Sequence, residues 1–367
     1  MTEERQLLVG IDVGSTTTKI AAARETDQEL VYWEYRRHNA SQAQSVIDGL
    51  ERLARRFPGV RFRAAMTGSG AKTIAESLGL PFVQEVVANS IVLRKQYPQV
   101  QTAIELGGQD AKIIFFSKEE STGALHVSDM RMNGSCAGGT GAFIDEAASI
   151  LKVPVEEFDA LAAAGQEVFD ISGRCGVYAK TDIQPLINQG VARTDLALST
   201  FHAIAKQTIG GLAQGLDIEK PVAFEGGPMT FHPTLIRVFE ERLGLAEEDI
   251  IRPEHPEIAI ALGAALSLQT LFSQQTDTWL AEELAEKLKE AGRQAPKDAG
   301  QQGTPFFASE EEKQAFLART HLSCPEPAPV RPGETVRAYL GIDSGSTTTK
   351  FVLMDEEERI LDSFYAP

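Results

Sequence analysis

Two cysteines in this chain have neighbours that alter what a thiol can do. Cys136 lies in Asn133–Phe143, NGSCAGGTGAF, directly before the apolar run FIDEAASIL. Gly134, Gly138, Gly139 and Gly141, with Ser135 and Thr140, let the backbone approach an anion closely, and the run that follows reads as a helix presenting its positive dipole end. Such a setting favours the thiolate and its use as a metal ligand. Cys175, in SGRCGVYAKTD, is flanked by Gly173 and Gly176 with Arg174 beside it. A cubane iron–sulfur cluster normally takes four thiolates, so two from one chain imply a cluster shared by two copies across a two-fold axis.

A second chemistry is written in three glycine turns. In Gly10–Lys19, GIDVGSTTTK, an acidic residue ends one strand and a Gly-Ser-Thr turn exposes N–H groups and hydroxyls before the next strand begins. Gly14, Ser15, Thr16, Thr17 and Lys19 suit phosphate oxygens, and Asp12 suits Mg²⁺ through water, because Mg²⁺ sheds its hydration reluctantly. No helix follows the turn, so it is not a Walker loop. Thr102–Phe116, TAIELGGQDAKIIFF, repeats the strand, turn and strand design. Gly107 and Gly108 would approach a γ-phosphate across a cleft, with Gln109 and Asp110 placed to orient or deprotonate a water. The third turn, PVAFEGGP, would put Gly226 and Gly227 against an adenine and Glu225 near the ribose hydroxyls. Taken singly, the first of these turns is also compatible with an ordinary hairpin, and the second with a turn capped by Asp110.

The elements that must hold these turns are legible from periodicity. Residues 6–35 alternate as three strands, and Val46, Ile47, Leu50, Leu53, Ala54 and Phe57 fall at helical spacing over 41–57. Helices are also expected over 71–79, 86–97, 153–165, 194–216, 231–243 and 257–271, with Thr194 as the cap of the longest. The chain has 367 residues, 43% of them hydrophobic, which is ample for two lobes with their own cores. A formal net charge of −17 and the lack of a Lys/Arg stripe exclude a general nucleic-acid or anionic-membrane partner. Three cysteines without paired short spacings make no disulfide framework, no leader pattern is present, and the expected compartment is the cytoplasm. The apolar stretch 258–272 is short for a membrane span and contains Gly263, Ser267 and Gln269, so it reads as a buried helix.

Taken in order, GIDVGSTTTK, ELGGQDAK, FEGGP and PEIAIALGAAL resemble the two phosphate motifs, the adenosine motif and the closing helix of the sugar-kinase, heat-shock-chaperone and actin superfamily. The fold this resemblance implies is α/β, with two ribonuclease-H-like lobes hinged over a nucleotide (an actin-like ATPase fold). Lobe one would span 1–98 plus 256–272, and lobe two 99–255. NGSCAGGTGAFID and RCGVYAKTDIQPLINQG look more particularly like the activators of 2-hydroxyacyl-CoA dehydratases and the related ATPase subunits of benzoyl-CoA reductases. That resemblance covers about residues 6–272. It implies a homodimer bridged by a [4Fe–4S] cluster on Cys136 and Cys175, with Asp12, Ser15, Thr16, Lys19, Gly107, Gly108, Gln109 and Asp110 holding Mg-ATP. It implies further a ferredoxin or flavodoxin as electron donor and a cluster-bearing dehydratase or reductase as acceptor. In this chain Glu105 stands where the pattern has aspartate.

Near the end, AYLGIDSGSTTTKF at 338–351 repeats Leu8–Ile20, with Gly341 matching Gly10 and Asp343 matching Asp12. The expectation is the incomplete start of a second ATPase module over 337–367, as in the long two-module activator-like proteins. Residues 273–336 read as a linker that includes a charged helical piece over Trp279–Ala291 and a Pro-, Gln- and Gly-rich segment, with Cys324 a bystander in it. Two rival readings share the nucleotide motifs: a small-molecule (sugar) kinase with a carboxylate base in the cleft, and a non-enzymatic scaffold of the actin or chaperone type. Both leave the two glycine-flanked cysteines without a chemical role.

Overall fold

The computed structural model describes residues 6–119, 123–133, 138–174, 176–294, 306–320, 327–345 and 347–366. Cys136, Cys175 and Cys324 lie outside these residues, as do Gly134 and Ser135. The chain forms two compact units, Met1–Gln294 and Ala295–Pro367.

The first unit begins with strands β1 (Leu7–Val13), β2 (Thr17–Arg24) and β3 (Leu30–Arg37) and, after helix α1 (Gln42–Arg56), strand β4 (Phe62–Thr67). They form one sheet in the order β3-β2-β1-β4, with β4 parallel to β1. All seven residues of β1 are buried, as a central strand covered on both faces requires. On α1 the expected stripe Val46, Ile47, Leu50, Leu53 and Ala54 is the buried one. Helices α2 (Lys72–Leu78) and α3 (Glu85–Gln96) lead into the second lobe.

That lobe carries β5 (Thr102–Leu106), β6 (Ala111–Lys118), β7 (Leu125–Met132), α4 (Gly141–Leu151), α5 (Phe158–Ala163), α6 (Gly176–Asn188), α7 (Arg193–Leu212), β8 (Val222–Glu225), α8 (Gly227–Phe231), α9 (Pro233–Leu243) and β9 (Ile250–Ile251). The sheet order is β7-β6-β5-β8-β9, with β8 parallel to β5. Phe143, Phe158, Phe201, Phe224 and Phe239 fill the core between this sheet and its helices. Helix α10 (Ala259–Thr270) then returns to the first lobe and packs on β1, β2, β4 and α3.

Several elements differ from the sequence reading. The helix expected over 153–165 is a 3-10 turn at Val155–Glu157 followed by the short α5. The one expected from 231 is broken at Pro233, which has no N–H to continue α8, so α9 starts afresh there. Helix α7 begins at Arg193 rather than being capped by Thr194, and the carboxylate of Asp195 turns away to accept the Gln166 N–H at 2.7 Å. Residues 279–294, read as part of a linker, belong to the first lobe. Trp279 and Phe62 exchange backbone hydrogen bonds of 2.8 and 2.9 Å. Beyond them α11 (Ala281–Gln294) sets Ala281, Leu284, Ala285 and Leu288 into the core that holds Leu50 and Leu53. Those four residues have helical spacing, which the polar composition around them obscures.

The second unit contains α12 (Glu310–Thr320) and an antiparallel sheet of β10 (Ala338–Ser344), β11 (Thr349–Asp355) and β12 (Ile360–Ala366). Its register pairs Asp343 with Lys350, as β1 and β2 pair Asp12 with Lys19. Among the described residues no helix is long and apolar enough to cross a membrane.

Candidate nucleotide site and the cysteine segments

Asp12 ends β1 almost wholly buried and accepts a hydrogen bond from Lys19 Nζ at 2.7 Å. Burial pushes its carboxyl up while the lysine beside it pulls it down. Burial alone would lower the Lys19 ammonium, but Asp12, by charge and hydrogen bond, holds it above its ordinary value. The turn that follows is braced by a residue the sequence reading passed over. His38 Nδ1 accepts the Ala40 N–H at 3.1 Å, which leaves Nε2 as the donor to the Gly14 carbonyl, also at 3.1 Å. Its own N–H donates to the Thr16 carbonyl. Ser15 Oγ and Thr18 Oγ1 are buried with no hydrogen-bond partner, but neither residue lines the cleft between the lobes, which Thr16 and Thr17 face instead.

The second turn repeats this plan. Glu105 ends β5 and Lys112 sits opposite it on β6, with Nζ 2.7 Å from the carboxylate. Lys112 Nζ also lies 2.8 Å from Glu85 of α3 and bonds Asp110 closely, so one buried ammonium serves three carboxylates. Burial pushes the Glu105 carboxyl up to about 7 against the pull of Lys112. Asp110 is therefore engaged with Lys112, while Gln109 is exposed at the tip of the turn. At the third turn Gly226 adopts φ 93° and reaches the cleft with Gly227, but Glu225 does not. Glu225 is buried behind the turn, accepts the Asn89 side-chain N–H at 2.8 Å, and is pushed up to about 8 by burial.

The three turns converge on one narrow cleft, lined by Asp12, Thr17, Lys19, Tyr35, Glu105, Gly107, Gly108, Gly226 and Gly227. Across it the Thr16 side chain packs directly on Gly108, leaving no room for a Cβ there. Opposed N–H-bearing turns, the Thr16 and Thr17 hydroxyls, one lysine and one buried aspartate fit a polyphosphate with a hydrated divalent cation.

Both shoulders of the Cys136 segment are fastened to the second turn. On the near side, Asn133 N–H donates to the Ala111 carbonyl (3.1 Å), Asn133 Oδ1 accepts the Ala111 N–H (2.8 Å), and Asn133 Nδ2 donates to the Gln109 carbonyl (3.3 Å). On the far side, the first amides of α4, Gly141 and Ala142, donate to the Gly107 and Gly108 carbonyls at 2.9 and 2.8 Å. At this helix start, whose positive dipole end the sequence offers to an anion, these two amides are already satisfied by the second glycine turn. The two cysteine segments also meet. Gly138 packs against the carbonyls of Gly173 and Arg174, so closely that any side chain at 138 would collide with them.

Two lobes of this topology, with a hairpin turn from each facing across a cleft and a returning helix, define an actin-like ATPase fold. The profile of the BadF/BadG/BcrA/BcrD ATPase family matches residues 9–267, and the chain belongs to that family. It is 30% identical over 222 residues to the (R)-2-hydroxyglutaryl-CoA dehydratase activating ATPase of Acidaminococcus fermentans, covering 60% of this chain and 82% of that one. It is 22% identical over 269 residues to one of the benzoyl-CoA reductase subunits of Thauera aromatica, covering 71% and 92%. The crystal structure of component A of the Acidaminococcus fermentans dehydratase superposes with a TM-score of 0.60 at 28% identity, covering 71% of this chain and 96% of that one. A Clostridium difficile 2-hydroxyisocaproyl-CoA dehydratase activator with bound ADPNP shares the fold, with a TM-score of 0.58 at 23% identity over 77% and 97% of the two chains.

Proposed function

We propose that this chain is an ATP-driven, one-electron reductive activator. The observation that carries the reading is the fastening of both shoulders of the Cys136 segment to the second phosphate turn, five hydrogen bonds in all. A shift of Gly107–Ala111 as the γ-phosphate is bound or lost is thereby handed to Asn133 and to Gly141–Ala142, the residues on either side of the segment bearing the thiol.

In this reading Lys19 and the amides of both turns hold the phosphates, and Asp12 holds Mg²⁺ through water. Gln109, at the turn tip, orients the hydrolytic water. Cys136 and Cys175, whose sequence positions flank the contact of Gly138 with Gly173 and Arg174, would hold a [4Fe–4S] cluster with the same two residues of a second copy. The cluster supplies one-electron chemistry, its potential being set by hydrogen bonding and solvent exposure. Val177 and Tyr178, 75% and 60% exposed at the start of α6, suit the homodimer contact beside it. The electron arrives from a ferredoxin or flavodoxin in the cytoplasm, where thiols stay reduced. It leaves for a cluster-bearing 2-hydroxyacyl-CoA dehydratase or benzoyl-CoA reductase type of partner. A sugar kinase would need a free carboxylate base in the cleft, whereas Asp145, which lines its mouth, has both oxygens on Arg37.

Iron and sulfide content of protein purified without oxygen, with its mass in solution, tests the reading. About two irons per chain in a dimer is the expected result. An iron-free monomer that binds ATP would move the assignment to the kinase class.

A further inference from the structure

Alternate residues of β3 form the seam between the lobes. Trp33 packs at a tilt against His255 with ring centroids 4.2 Å apart, Tyr35 meets Phe231 edge-on at 5.3 Å and also abuts Gly227, and Arg37 reaches Asp145. This last contact is bidentate, with Arg37 Nη1 2.8 Å from Asp145 Oδ2 and Nη2 2.9 Å from Oδ1. Asp145 stands one turn into α4, the helix whose first amides bond the second phosphate turn. Helix α4 is thus tied at its start to one wall of the nucleotide cleft and, a turn later, to the edge strand of the opposite lobe.

We infer that Arg37 and Asp145 are positioning residues: their ion pair is a latch across the mouth of the cleft that holds the lobes closed and makes the placement of α4 depend on closure. The inference rests on the nucleotide reading above. Passage of a nucleotide requires Thr16 to part from Gly108 and Tyr35 from Gly227, and because Arg37 follows Tyr35 on the same side of β3, a rigid-body parting of the lobes there lengthens the Arg37–Asp145 pair. The fork-to-fork geometry gives the pair direction as well as attraction, so it reports lobe orientation rather than mere proximity.

The test is release of a fluorescent mant-ADP from the full chain, in wild type, Arg37→Glu, Asp145→Arg and the charge-swapped double variant. Both single variants should release it about five-fold faster, with the double variant back within about two-fold of wild type. Added salt should speed release from wild type, where it screens an attraction, and slow it in the single variants, where it screens the repulsion of like charges. Hydrogen exchange across 141–151 should respond to the nucleotide in wild type and in the double variant, but not in the singles. The pair is partly exposed, with side-chain exposures of 53% and 34%, so thermal unfolding should confirm folded protein throughout. Unchanged release in both singles, or a double variant as fast as they are, overturns the latch. A wild-type chain that binds no mant-ADP overturns the nucleotide reading, and the latch with it.

Discussion

Lys112 stands to Glu105 as Lys19 stands to Asp12: each lysine lies seven residues after its carboxylate, opposite it in the hairpin register, with Nζ 2.7 Å away. The two phosphate turns are thus built on the same cross-strand ion pair, one from each lobe. The second pair is the more heavily loaded, because Glu85 and Asp110 share its lysine.

Removing that lysine should therefore be costly. Lys112→Met leaves three carboxylates clustered in a buried site, and a loss of about 3–5 kcal/mol is expected by urea unfolding. Lowering the pH towards 5 should recover part of it as the carboxyls protonate. A Lys112→Met chain as stable as wild type would mean the cluster is hydrated and not buried.

Glu225 sets a pH dependence of its own. Its carboxyl, ordinarily near 4.5, is pushed up to about 8 by burial, against the pull of the Asn89 hydrogen bond. The folded state binds the proton more tightly than the unfolded one, so the stability it contributes is fully present below about 4.5 and is lost as pH rises through about 8. Between pH 5 and 8 Glu225 should add a slope of roughly 1 kcal/mol per unit to the loss of stability, and Glu225→Gln should remove that share and leave the part due to Glu105. Equal slopes in the two proteins would remove Glu225 from the account.

Gly108→Ala should weaken nucleotide binding at least about ten-fold, because the added methyl meets Thr16 and props the turns apart. Isothermal titration with ADP measures this. Trp33, packed against His255 at the seam, is one of only two tryptophans. In a Trp279→Phe background its emission should shift on nucleotide addition, and the shift should shrink in Gly108→Ala.

Helix α11 fixes where the first unit ends. Leu284 is fully buried against the first-lobe core, and Leu284→Ala should cost about 2–4 kcal/mol. A chain shortened to end at Gln294 should keep nucleotide binding and cooperative unfolding, whereas one ending at Gln274 exposes that core and should melt markedly lower. Equal melting temperatures for the two would show that α11 contributes little.

Much of this was readable in the chain because the signals are local. Turn glycines, strand alternation and the stripe of α1 concern residues near one another in sequence, and they placed the three turns and most elements. The parts that escaped depend on distant partners. Lys112 is one more lysine in a strand until Glu85 arrives from α3. His38 looks ordinary until the chain folds back on Gly14. Glu225 sits beside two cleft glycines, yet strand alternation turns its side chain to the opposite face, towards Asn89. The stripe of α11 was hidden by the Glu and Lys residues that share its helix. The pairing of the α4 amides with Gly107 and Gly108 is a contact between backbones, which no side-chain pattern encodes.

The hairpin of β10 and β11 has the register and the Asp–Lys ion pair of β1 and β2, yet β10 is exposed along its whole length where β1 is entirely buried. The same residues therefore select the same pairing with and without a covering core. Their order is written in the short loop and the cross-strand pair, both of very low contact order. Such a hairpin can form before the long-range layers close over it. In the first unit, β1–β2 thus becomes the natural seed on which β4 and later α10 assemble, and destabilising substitutions at Asp12 or Lys19 should slow refolding more than they hasten unfolding.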